Sequence, residues 1–366
     1  MRTSKFIDLA IIISFALCIT VPLLLSGRVG PVLITNTGLQ SDLPDLDKRL
    51  ISEFPARRWL TKLYYEIEWK TFHRIHDSVQ LGKEGWLFYR WDTTWHQTPL
   101  QDVLGTNRAT IQDRERWKKM DIKRLAWAKD QRTCYLCIIP PNKEGFYKEY
   151  LPDEVQAHAA SETRLDSMIQ AFSSVDAHSI LDLRPALLKA KSTGQVYERT
   201  DTHWTQWGAY IAYRAILERL KPEFSNFVPL SPDLFTESSV TFAGDLSHTA
   251  WLEDVFTEKS PRFNPVRAFP AIFASGAVTL GPNAEIGNWP EKAPRILITT
   301  MPDQSLPTAV IFHDSFCMRL LPYLSQHFRR IVWSWGPLNR SIVEREHPDL
   351  LILERTERYL DWIDRE

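Results

Sequence analysis

The 366-residue chain has few cysteines, no excess of charge of either sign, and no His-x-x-x-His pair. Each absence removes a class of function. Lys and Arg total 44 against 45 Asp and Glu, for a net charge of -1, and the basic residues form no long block. No global field is present to recruit nucleic acid. The four cysteines are Cys18, Cys134, Cys137 and Cys317. Cys18 lies in an apolar N-terminal stretch, and the other three do not pair off into a disulfide framework. Cys134 and Cys137 form a C-x-x-C inside Cys134-Tyr135-Leu136-Cys137-Ile138-Ile139. On a strand, positions three apart face opposite ways. This pair is therefore expected to be two small buried hydrophobes, not a redox or zinc half-site. There is no internal repeat and no low-complexity tract.

What the chain does have is tryptophan, 14 residues within a 12% aromatic fraction. Indole packs cores, and it also stacks on sugar faces. The length allows one large core or two modest ones.

Arg2 and Lys5 precede an apolar run at 9–25. The run is near the lower limit for a membrane-spanning helix, and it ends Leu23-Leu24-Leu25-Ser26-Gly27 without a clear cleavage pattern. An uncleaved signal anchor over 1–28 is expected, with the N-terminus in the cytoplasm and the rest outside. Residues 29–80 are expected to form a juxtamembrane linker and helix. Residues 81–366 are expected to form the catalytic domain, with an irregular insertion at 222–294.

The continuous apolar run at 133–140 reads as a parallel strand covered on both faces, and further strands are expected near 176–183 and at 308–312, 330–335 and 350–353. Helical spacing recurs at 56–77, 107–130 and 152–174, and again after His203. This alternation predicts an α/β fold with a doubly wound, mostly parallel sheet.

Two segments carry chemistry. Thr200-Asp201-Thr202-His203-Trp204 opens a helix, and Ile311-Phe312-His313-Asp314-Ser315-Phe316 closes a strand. A serine needs a base within hydrogen-bond reach, and the base needs a carboxylate on its other ring nitrogen. Asp201 and His203 stand two apart, on one side of an extended turn. Ser315 falls at a strand's carboxyl end, where α/β sheets place ligands. There, backbone N–H groups of the next turn can hold an oxyanion. A Ser315–His203–Asp201 triad is one construction. A metal site drawn from Asp201, His203, His313 and Asp314 is the other. Trp204 and Trp207 either line an acceptor groove or pack the helix start. Lys143 and Tyr147 are further candidates for the cleft.

The segment Asp201-Thr202-His203-Trp204, with Gly208 and Tyr210, resembles the Asp-x-His-Trp signature of the alginate O-acetyltransferase AlgX/AlgJ-type, SGNH-hydrolase-like family. His313-Asp314-Ser315-Phe316 is similar to its Gly-Asp-Ser-Phe nucleophile block, with a histidine in place of the glycine. Three further segments resemble the family in the same order. These are Gly82-Lys83-Glu84-Gly85-Trp86-Leu87-Phe88-Tyr89, the stretch from Pro140-Pro141-Asn142-Lys143 to Leu151-Pro152, and Gly244-Asp245-Leu246. The resemblance covers about 55–355. It implies an SGNH-type fold in which the Asp–His pair precedes the serine. It also implies transfer of acetyl groups to a secreted polysaccharide, as in alginate biosynthesis, with no cofactor. The implied location is the periplasmic face of the bacterial inner membrane, and the implied acetyl supplier is a membrane-bound O-acyltransferase. A carbohydrate acetylesterase and a non-catalytic glycan-binding scaffold of an export complex are the alternatives.

Overall fold

The computed structural model describes residues 57–90, 99–266, 271–273 and 296–363. The anchor expected at 1–28 lies outside the described residues. Among those described, no helix is long and apolar enough to cross a membrane. The chain divides into two units, one ending at His76 and the other beginning at Asp77. In the first, the helix Arg57–Phe72 leaves Trp59, Tyr64 and Ile67 exposed.

The second unit opens with a hairpin in which β1 (Val79–Leu81) pairs antiparallel with β2 (Leu87–Tyr89). The expected boundary at residue 80 therefore falls inside this hairpin. The main sheet is built from β3 (Cys134–Ile139), β4 (Ile180–Asp182), β7 (Ile272–Phe273), β8 (Ile296–Thr300), β9 (Thr308–His313), β10 (Arg330–Trp335) and β11 (Leu350–Glu354). Among the described residues it has seven strands in the order β4-β3-β11-β9-β10-β8-β7. β4, β3, β11, β9 and β10 run parallel, whereas β8 and β7 close one edge antiparallel.

The apolar strands alternate between two cores. Leu136 and Ile138 of β3, Ala309 and Ile311 of β9, and Leu350 and Ile352 of β11 face one layer, with Tyr210, Tyr213 and Ile216 of the helix Gln206–Leu220. Tyr135, Cys137, Val310, Phe312, Leu351 and Leu353 face the other. That layer holds Trp117 of Ile111–Asp130 and Met168 of Arg164–Ser173. Burial on both faces is why these strands read as unbroken apolar runs. Cys134 and Cys137 point to opposite layers and form no disulfide.

The stretch expected to be one helix over 152–174 is two, Asp153–Ala157 and Arg164–Ser173. The second starts with a capping box between Thr163 and Asp166, which lets the chain re-enter the helix at a new angle. The insertion expected to be irregular at 222–294 contains a regular ribbon, β5 (Phe235–Phe242) paired antiparallel with β6 (Glu258–Pro265). Its proline and charge content hid it. β5 is largely solvent-facing and β6 buries polar groups, Glu258 and Ser260, so no apolar alternation marks them.

Candidate active site

The turn that carries Ser315 continues directly from the sheet. β9 ends at His313, and Ser315 begins a short 3-10 turn, Ser315–Arg319. Asp314 caps that turn, with Oδ1 accepting from Phe316 N–H at 2.9 Å. Its Oδ2 accepts from both the backbone N–H and the hydroxyl of Thr356, each at 2.8 Å. A cap of this kind stabilises by about 1 kcal/mol, and here it also ties the turn to the segment after β11. His313 is 3% exposed, with its ring edge-on to Trp333 and Trp335 and Nδ1 bonded to the Asp314 carbonyl. It is not among the residues with positive φ. A glycine's freedom is not needed at that position.

The loop that carries Asp201 and His203 has no such strand beneath it. Residues 196–205 fold back on themselves, with Glu198 N–H donating to His203 O and Thr205 N–H to Val196 O. Thr205 then caps the helix Gln206–Leu220 by accepting from Gly208 N–H at 3.0 Å. A side chain at Gly208 would collide with the Val196 carbonyl, so the tight approach requires glycine. The loop is held by buried polar groups from elsewhere. Lys143 Nζ donates to the carbonyls of Glu198 (3.2 Å), Arg199 (3.2 Å) and Asp201 (2.6 Å). Glu258 accepts from Arg199 N–H (2.8 Å), Thr200 N–H (2.6 Å) and the Thr200 hydroxyl (2.7 Å). Asp245 N–H donates to Asp201 Oδ2 at 2.9 Å.

These two turns bring Ser315, His203 and Asp201 into one hydrogen-bonded line. Ser315 Oγ lies 2.8 Å from His203 Nε2, and His203 Nδ1 lies 2.7 Å from Asp201 Oδ1. A carboxylate only accepts, so Nδ1 carries the proton and Nε2 of the neutral ring is left to accept from the serine. Burial alone would raise the Asp201 pKa. The adjacent imidazole, the Arg319 charge and the Asp245 N–H outweigh it and hold the carboxyl well below the usual range.

The other candidates fall differently. Trp204 is fully buried and packs edge-on against Phe316, so it offers no face to a sugar. Trp207 is half-buried, stacked on Tyr210 beside Phe263. Lys143 is the buried clamp described above, with burial pulling its pKa down. Tyr147 is buried and accepts from Val196 N–H at 3.1 Å. Lys143 and Tyr147 thus support the loop from behind, Trp204 packs beneath it as one of its own residues, and none of the three lines a cleft. Sequence reasoning missed Glu258 and the role of Asp245. Asp245 accepts from Thr202 N–H (2.7 Å) and the Thr202 hydroxyl (2.6 Å), and its Oδ2 stands 3.5 Å from His203 Nδ1. The short Gly244-Asp245-Leu246 block was its only signal.

Among the described residues, the group whose ligand atoms converge as for a metal is Asp201, His203 and Asp245. It does not include His313 and Asp314, which the sequence offered. The same atoms already form the Asp201–His203 and Asp245–Thr202 hydrogen bonds. A cation there would have to displace the proton on Nδ1 and break the line to the serine.

A family model for the SGNH hydrolase-like domain of the acetyltransferase AlgX matches residues 79–275. Asp201 and His203 lie within the match, and Ser315 lies beyond it. The chain is 28% identical over 217 residues to a probable alginate O-acetylase AlgJ of Pseudomonas putida, covering 57% of this chain and 51% of that one. It is 30% identical over 222 residues to the Pseudomonas fluorescens counterpart, covering 58% and 52%. The chain therefore spans about half the length of the curated relatives it matches. Among solved structures, Bacillus cereus PatB1 with a sulfonyl adduct superposes with a TM-score of 0.56 at 14% identity, covering 78% of this chain and 96% of that one. A DHHW family protein from Eubacterium siraeum gives 0.53 at 14% identity, covering 78% and 95%. These superpositions bear on the fold alone. With more than half of its length matched by the family model, the chain belongs to the SGNH hydrolase-like, AlgX-type acetyltransferase family.

Proposed function

We propose that this protein is an O-acetyltransferase that moves acetyl groups onto a secreted polysaccharide through an acyl-serine intermediate. The observation that carries this reading is the unbroken line Ser315 Oγ–His203 Nε2 and His203 Nδ1–Asp201 Oδ1, at 2.8 and 2.7 Å. In the first half-reaction His203 takes the Ser315 proton as Oγ attacks the acetyl carbonyl, and the donor leaves with that proton. In the second, an acceptor hydroxyl gives its proton to His203, attacks the acyl-serine, and the proton returns to Oγ. Asp201 stabilises the imidazolium in both. The Ser315 backbone N–H heads the 3-10 turn and serves as one oxyanion donor. The alginate O-acetylases among the relatives suggest a polyhydroxylated glycan acceptor.

The basic residues and apolar run at the N-terminus favour an inner-membrane anchor with the catalytic unit in the periplasm. In that location a membrane-bound O-acyltransferase would supply the acetyl group. Purified protein given an activated acetyl ester and a glycan acceptor should acetylate the glycan, and Ser315→Ala should not. Glycan acetylation at the wild-type rate by the alanine variant would exclude the triad. Ester turnover that is indifferent to acceptor concentration would make the protein an esterase instead.

A further inference from the structure

One charged group beside the nucleophile has no task in this scheme. Arg358 ends the segment that follows β11, and that segment is sewn to the site. Glu354 accepts from Asp314 N–H at 3.0 Å, Thr356 donates to Asp314, and Glu357 accepts from Asn142 N–H at 2.7 Å. The Arg358 guanidinium lies 5.3 Å from the ring centres of Phe316 and Tyr359 and 6.0 Å from that of Tyr89. Phe316 follows Ser315 in the chain, and its ring also lies 4.9 Å from the His203 imidazole.

Three aromatic faces therefore hold a cation next to the triad. Among the described residues, no carbonyl, carboxylate or hydroxyl accepts from it. Its neighbours differ. Arg355 donates to the carbonyls of Glu354 and Gly336, and Arg319 to Glu198 and the Trp204 carbonyl. Nor are the Arg358 nitrogens walled off from solvent, as unpartnered nitrogens of Arg124 and Arg164 are. Burial opposes its charge, but Tyr359 and the carboxylates of Asp314, Asp245 and Glu144 more than offset that and keep the guanidinium ionised. None of these carboxylates binds it directly. A planar fork of donors, fixed in place and unused, matches a carboxylate.

We propose that Arg358 is the specificity residue that holds a carboxylate of the acceptor glycan beside Ser315. The inference rests on the acyltransferase reading of the site. It can be tested with an oligosaccharide bearing carboxylates and the same oligosaccharide with its carboxyls reduced to alcohols. Wild-type protein should bind the carboxylated form about 10- to 100-fold more tightly by calorimetry, the span of a charge-assisted pair. Arg358→Gln should lose that preference, and Arg358→Lys should keep part of it. In transfer assays the loss should fall on KM for the acceptor and not on kcat.

Equal binding of the two oligosaccharides by wild-type protein would overturn the proposal, even if no variant folds. So would an Arg358→Gln protein that keeps the preference, or one in which kcat falls in place of KM. Calorimetry does not depend on turnover. A missing Ser315-dependent reaction would therefore sink the acyltransferase reading while the carboxylate preference was still measured separately.

Discussion

The two turns that meet at the site are held in different ways. The Ser315 turn at 313–316 is the end of a central parallel strand, covered on both faces and capped by its own Asp314. The loop at 196–205 rests on no strand of the main sheet. It is suspended from Lys143, Glu258 and Asp245, which lie 43–59 residues away in sequence from the loop groups they bind. The place of Ser315 is thus a by-product of sheet formation. The place of His203 depends on a buried polar scaffold in which each lost partner strands another group.

Substitutions should expose this asymmetry. The largest effect belongs to the chemistry the two halves share. Ser315→Ala should lower acyl transfer by about 10^4-fold or more, with an unchanged melting temperature, as measured by acetyl-ester turnover and calorimetry. Next comes the suspended half. Lys143→Met removes three hydrogen bonds from loop carbonyls and should destabilise by about 2–4 kcal/mol. Asp314→Ala, on the strand-borne half, also removes three hydrogen bonds, from Phe316 N–H and from the Thr356 N–H and hydroxyl, and should destabilise by a similar amount. The two halves should differ in activity: acetyl-ester turnover by the folded protein should fall further for Lys143→Met than for Asp314→Ala, and equal losses of turnover would erase the distinction.

Asp245→Asn keeps an oxygen to accept from Thr202 N–H, turns the bond to the Thr202 hydroxyl round so that the amide donates, and removes a charge 3.5 Å from the imidazole. Transfer should slow about three- to tenfold. The smallest effect is a pH slope. Burial pushes His313 down to about 4 from an ordinary 6.5. Between those values the unfolded chain binds more protons than the folded one, so this contribution is whole above pH 6.5 and fades as pH falls toward 4. His327, pushed down to about 4 by burial, adds a parallel slope. Melting temperatures of His313→Asn across pH 4–7 should show a shallower acid decline than the parent, with the His327 share remaining.

The same asymmetry decides what could be read from the sequence. Central strands buried on both faces announce themselves as apolar runs, and 330–335 was legible to the residue. Ser315, at the end of one such run, was legible with it, and Asp201 and His203 were legible through the motif they share. The scaffold was not. Glu258 sits on a polar ribbon strand that carries no periodic signal. Lys143 and Trp204 look on paper like groups for a cleft, because nothing local says that a lysine will be buried under three carbonyls. Long-range satisfaction of buried polar groups is a property of the folded chain, and short windows of sequence do not encode it.

The most direct measurement is mass spectrometry of the protein after brief exposure to an activated acetyl ester without acceptor. One acetyl group should appear on the peptide carrying Ser315, vanish on addition of acceptor glycan, and be absent from His203→Ala. An unmodified Ser315, or an acetyl on Ser315 that accumulates equally without the imidazole, would contradict the role assigned to the line of hydrogen bonds between the two turns.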